Sequence, residues 1–188
     1  DSLRVLRLSN LKALGIVSAD VNSFAPSGIP KWSTLSSVQK AEFARDMEVY
    51  AAMIEYLDMS IGRLFDYLKQ QGMYDNTLIV FMSDNGANGV MATTYPGNGD
   101  GKYLSSFNNA LDNRGLPNSF VEMGPGWAQA SSSPFRLFKS FASEGGIKAP
   151  LMIKLPNDTL NHGQWNSSFV HVTDLLPTIL QLAEVSYP

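Results

Sequence analysis

The chain has 188 residues, 44% of them hydrophobic and 11% aromatic, with 14 basic against 17 acidic side chains and a formal net charge of -3. That is enough apolar material for one domain with a core, and the scattered basic residues lack the footprint of a nucleic-acid binder. The absence of cysteine excludes disulfides, thiolate metal sites and a cysteine nucleophile within these residues, and no apolar stretch is long enough to span a bilayer.

Residues 1–20 lack the hydrophobic stretch of a signal peptide. With no initiator Met before Asp1, the opening reads as the middle of a larger polypeptide. Leu3, Leu6, Leu8, Leu11 and Leu14 stand near helical spacing and predict a short helix, followed by the breaker-rich "APSGIPKW" at 25–32. Ser36 and Gln39 form a capping-box pattern. Behind it Phe43, Met47, Tyr50, Ala51, Ile54, Leu57, Ile61, Leu64, Phe65 and Leu68 repeat at period 3.6, an amphipathic helix that Gly72 would stop. Asp46, Glu55, Asp58, Arg63 and Lys69 fall largely off the stripe, as a solvated face would.

"TLIVFMS" (77–83) is nearly all apolar, the pattern of a strand covered on both faces in a parallel sheet. Residues 84–133 are rich in Gly, Asn and Ser without a sustained period, a length of loop that is usually functional or mobile. Ser133-Pro134 then resembles an N-cap with Pro at the first helical position. It predicts a helix over "FRLFKSFAS", with Phe135, Phe138 and Ala142 on one face, Lys139 at its edge, and "EGG" as its stop. "KAPLMIKLP" (148–156) predicts a second strand, and "TDLLPTILQLAEV" (173–185) a last helix with Pro177 in its first turn. The order is α/β, with no internal repeat or domain boundary.

Asp84, Asn85 and Gly86 follow directly on the first strand. Two readings are open there: a turn, since these residues tolerate left-handed backbone, or a hard-cation site, since calcium takes mixed carboxylate and amide oxygens and ligands of open α/β sheets bind beyond the carboxyl ends of strands. "GNGDGK" (97–102) opens like a calcium loop but lacks the closing acidic ligand of an EF-hand. Asn157 and Asn166 begin glycosylation patterns too short to carry weight.

In combination, "YAAMIEYLDMSIGRLFDYL", "YDNTLIVFMSDNGANG", "RLFKSFASEGGIKAPLMIKLP" and "HVTDLLPTIL", in this order, resemble the arylsulfatases of the alkaline phosphatase superfamily. "DNRGLPNSFVEMGPGWAQASSSPFRLFKSF" is similar to bacterial members in particular, and the likeness runs over essentially the whole chain. It implies a partial sulfatase domain over residues 1–188, an α/β sandwich of mostly parallel strands flanked by helices. It also implies metal-dependent hydrolysis of a sulfate ester. Asp84 and Asn85 would ligate calcium, with magnesium the lesser expectation, and Lys139 would contact the sulfate as a catalytic and substrate-binding group.

The resemblance also marks departures. Sulfatases make a formylglycine nucleophile from a C/S-x-P-x-R motif, and only Ser132-x-Pro134-x-Arg136 meets that spacing here, far downstream of its usual place. The nucleophile region, two further metal-binding aspartates and the C-terminal subdomain of the family have no counterpart in the chain. Formylglycine and the remainder of the domain would therefore come from a parent protein, and these residues alone would be inactive. Lys148 stands where an arginine is common, a change that would alter a bidentate contact, and has a structural role as its expectation. His162 and His171 match no motif. Alternatives are a phosphodiesterase or phosphonate monoester hydrolase of the same superfamily, or a noncatalytic binding or assembly module. Bacterial cytoplasm or periplasm is the expected compartment.

Overall fold

The computed structural model of the chain describes residues 2–91, 101–157 and 163–186. Most of "GNGDGK", the remainder of the glycosylation pattern that begins at Asn157, and His162 lie outside the described residues.

Local sequence sets the longest elements. Helix α1 spans Ser2–Ala13. Helix α2 spans Ser37–Gln70, and its start is the predicted capping box: Ser36 Oγ accepts from Gln39 N while the Gln39 side chain accepts from Ser36 N. Gly72 ends it in a left-handed conformation, φ +66°, as a helix C-terminus favours. Strand β1 follows at Ile79–Met82. The remaining elements are α3 (Lys102–Ser105), α4 (Gly124–Ser131), α5 (Glu144–Ile147), β2 (Leu151–Lys154) and α6 (Leu175–Leu182), the last entered through a 3-10 turn at Val172–Asp174. His171 caps that turn, its Nδ1 accepting from Thr173 N at 3.3 Å.

The two strands pair antiparallel, with Ile79 opposite Lys154 and Met82 opposite Leu151. The parallel arrangement expected from the apolar runs is not found between them. The cause is where the intervening chain returns: Ser83 N donates to Pro150 O at 3.2 Å and Gly86 N to Gly146 O at 2.9 Å. The chain is thus brought back to the carboxyl end of β1 and must run backwards along it. Neither strand is covered on both faces among the described residues, for Met82, Met152 and Ile153 are all exposed.

A small core lies where α1, α4 and the 132–138 segment meet. Ala128, Ala130, Pro134 and Phe138 are buried there. Its polar part is ordered by Arg4, which donates to Gln129 O at 3.1 Å, to Ser23 Oγ at 2.6 Å and to Phe24 O. Burial of Arg4 lowers its pKa; three oxygen acceptors, and no carboxylate, offset the desolvation of the guanidinium. Gln129 grips the backbone of Ser27 through both amide atoms, at 3.0 and 2.8 Å.

A second polar contact corrects the expectation of a fully solvated polar face on α2. Asp46 is 6% exposed and accepts from Arg114 Nη1 at 2.6 Å, while Glu42 lies 3.4 Å from Arg114 Nη2. Asp46 stands three residues after Phe43 and four before Tyr50, so helical geometry already puts it beside the apolar stripe. Further along, residues 51–59 of α2 are exposed all round. The chain presents 13271 Å² to solvent, against about 8,900 Å² for a compact monomer of its 20.6 kDa.

Candidate functional site

β1 ends at Met82, and the polar residues begin at once. Ser83 Oγ donates to Asn85 O at 2.8 Å, which turns the chain sharply. Asp84 is exposed and Asn85 half-buried, and the Asn85 amide donates to the Asp84 carboxylate. The two side chains therefore stand side by side. As oxygen donors they suit a hard cation, but with two or three oxygens they fill only part of the six to eight that calcium takes. Among the described residues no cluster of three or more His, Asp or Glu side chains surrounds them. The Asn85 nitrogen, not its oxygen, faces Asp84, so joint ligation needs the amide turned over.

Lys139 is not on a helix, contrary to the spacing of Phe135, Phe138 and Ala142. Leu137 (φ 61°) and Ser140 (φ 78°) are left-handed, which interrupts any helical run. The peptide between Ser133 and Pro134 is cis, and Ser133 is buried with its hydroxyl 3.2 Å from that of Ser23 instead of capping a helix. "EGG" is not a stop either: Glu144–Ile147 is itself one helical turn. The backbone groups of 136–141 are used by distant partners. Gly145 N and Ser143 Oγ donate to Arg136 O at 3.0 and 2.7 Å, and Lys139 N donates to Ala87 O at 3.0 Å.

That last bond joins the Lys139 loop to the Asp84-Asn85 loop. Lys139 is half-buried, and among the described residues its ammonium has no hydrogen-bond or ion-pair partner. Ser132, which meets the bare nucleophile spacing, donates to Gly145 O at 3.3 Å. Lys148 is exposed, paired with Glu144 at 3.5 Å and lying 4.5 Å from the centre of the Phe135 ring. An open groove of about 750 Å³ runs along α2 between Val49, Met53, Leu57 and Leu116. None of Asp84, Asn85 and Lys139 lines it, and its walls are mostly apolar, so it is separate from the candidate site.

Sequence reasoning reads Gly145 and Gly146 as the exit of a helix and misses that, with Gly86, they let these loops touch. A Cβ on Gly86 would lie 1.8 Å from Gly145 O; one on Gly145, 2.2 Å from Leu137 O; one on Gly146, 2.1 Å from Phe141 O. The signal was present in "NG" and "EGG", but glycine spacing does not say which backbone will approach.

Comparison with known proteins matches residues 18–185 to the sulfatase family. An uncharacterised sulfatase of Schizosaccharomyces pombe is 45% identical over 190 residues, covering 100% of this chain and 34% of that protein. An arylsulfatase of Klebsiella aerogenes is 38% identical over 180 residues, covering 95% and 38%. Arylsulfatase J of Mus musculus is 30% identical over 135 residues, covering 72% and 16%. The chain belongs to the sulfatase family. It spans about a third of the length of the first two relatives.

Proposed function

We propose that the chain carries part of the site of a metal-dependent sulfuric ester hydrolase, of the kind that the name arylsulfatase states for the Klebsiella relative. The observation behind this reading is the 3.0 Å bond from Lys139 N to Ala87 O, which sets a half-buried lysine beside the loop of Asp84 and Asn85. In this reading Asp84 and Asn85 hold calcium, or less favourably magnesium, in a shell completed by oxygens from elsewhere in the protein. The bound cation would withdraw charge from nonbridging oxygens of the sulfate and fix its orientation. Lys139 supplies a second positive centre for an oxygen the metal does not reach, where negative charge accumulates in the transition state. Asn85 presents its carbonyl oxygen by turning over its amide and giving up the bond to Asp84. A hydrated formylglycine from another part of the protein would bring the nucleophile.

The test is turnover of a sulfate ester by the full-length protein and its Lys139→Ala variant, with thermal midpoint and metal content measured on the same preparations. Turnover should fall about 10²-fold, and the midpoint should move little, because truncating a half-buried lysine opens no large cavity. Unchanged turnover at normal metal and formylglycine content rejects the role of Lys139. Faster hydrolysis of the matched phosphate ester would transfer the reading to phosphodiesters or phosphonates. Hydrolysis of neither would favour a noncatalytic binding or assembly module.

A further inference from the structure

Main chain meets main chain where the Asp84-Asn85 loop, the Gly145-Gly146 turn and the Lys139 loop approach one another. Gly86 rests on Gly145 and Gly146, which rest in turn on residues 136–141 of the Lys139 loop. The approach leaves no space for a side chain at any of the three glycines. A Cβ on Gly86 would meet Gly145 O at 1.8 Å and Gly146 Cα at 3.0 Å; on Gly145, Leu137 O at 2.2 Å and Arg136 O at 2.4 Å; on Gly146, Phe141 O at 2.1 Å and Phe138 O at 2.6 Å. None of the three glycines has positive φ. Their requirement is thinness, not conformational freedom. Hydrogen bonds join these segments in sequence: Gly86 N to Gly146 O, Gly145 N to Arg136 O, and Lys139 N to Ala87 O, all between 2.9 and 3.0 Å. The Lys139 loop is thus spaced from the Asp84-Asn85 loop largely by main-chain contacts, beside which the Phe138 ring packs against Gly89.

We propose that Gly145 is a positioning residue for Lys139, setting the separation between its ammonium and the Asp84-Asn85 pair. The inference rests on the functional reading above. The direction of each missing Cβ gives the residues distinct effects. At Gly145 a methyl group presses on Arg136 and Leu137, within the Lys139 loop, whereas at Gly86 it presses from the Asp84-Asn85 side. Relieving a 2.2 Å contact to ordinary van der Waals distance moves the Lys139 loop by about 1 Å, and a misplacement of about that size costs on the order of 10²-fold in rate.

Two measurements on the full-length protein test this. In Gly145→Ala, amide hydrogen exchange at Lys139 should accelerate while amides within α2 keep their wild-type rates. Retained protection at Lys139 overturns the proposal without reference to activity. The second measurement is a cycle of wild type, Gly145→Ala, Lys139→Ala and the double variant on a sulfate ester. If Gly145 acts through Lys139, Gly145→Ala lowers kcat about 10²-fold in wild type and adds little once Lys139 is gone. Equal fold-losses in both backgrounds make Gly145 merely structural and overturn the inference alone. Wild-type turnover by Lys139→Ala removes the role of Lys139 from the functional reading, and the inference with it. Should Gly145→Ala not fold, Ser143→Ala removes only the 2.7 Å bond to Arg136 O and enters the same cycle. A smaller kcat loss confined to the background that retains Lys139 supports the proposal, and equal losses in both overturn it.

Discussion

The glycine stack at 86 and 145–146 and the middle of α2 solve opposite problems. In the stack, three glycines let backbone meet backbone at a distance that leaves no room for a Cβ. In α2, Met53, Ile54, Tyr56, Leu57 and Met59 are between 44% and 64% exposed, so large apolar groups stand with little of this chain against them. One region is over-determined by contacts it makes; the other is under-determined for want of them. The same kind of substitution should therefore be severe in one and nearly silent in the other.

The largest effect is expected for Gly86→Val. A β-branched side chain driven into Gly145 O has no small displacement that relieves it, and the loss of stability should exceed about 4 kcal/mol, read from the denaturant midpoint. A loss below about 1 kcal/mol would show that the stack yields and would remove the contrast.

Arg114→Ala comes next. It removes both ion pairs to α2 and leaves Asp46 buried without its main partner, at a cost of about 3 kcal/mol. The wild-type protein carries a pH signature from the same group. Burial raises the pKa of Asp46, and Arg114 opposes that rise without cancelling it. The folded state therefore holds the proton more tightly than the unfolded chain does. Stability from this group falls as pH rises from the ordinary carboxylate value near 3.9 through the raised folded value. Denaturant midpoints across that interval should slope downward with pH, and Asp46→Asn should flatten the slope. An unchanged slope in Asp46→Asn would assign the proton uptake to another group.

How far the sequence reached follows the same division. The ends of α2 were legible because the Ser36–Gln39 capping box and the stop at Gly72 are decided within a few residues. α1 was legible from its leucine spacing, and α6 from an apolar segment with Pro177 in its first turn. The helical spacing of Phe135, Phe138 and Ala142 puts Lys139 on a helix, yet left-handed Leu137 and Ser140 and the Arg136 carbonyl committed to Ser143 and Gly145 come from contacts outside that window. Both strands were found, but their direction depended on the return of the chain beside Gly146 and Pro150. Asp84 and Asn85 are marked by the abrupt polar switch at the strand end, while the choice of a metal role for them and the role of Lys139 come from the family resemblance. The joining of their loops by the glycines is marked by neither, since that function is defined by what the glycines lack.

The smallest effect is expected in α2. Leu57→Ser should change the stability of the 188-residue chain by no more than about 0.5 kcal/mol, because the side chain is already 44% exposed. In the full-length protein the same substitution should cost about 2 kcal/mol or more if further polypeptide covers this face. Equal small losses in both would mean that the face is bare there too.

The length of α2 carries a consequence of its own. At 34 residues and 1.5 Å of rise each, it is about 51 Å long. A sphere with the radius of gyration usual for 188 residues is only about 41 Å across. A straight rod of that length cannot be enclosed by so small a ball, however the remaining elements are arranged. The rod sets a lower limit on the width of any body that buries it from end to end.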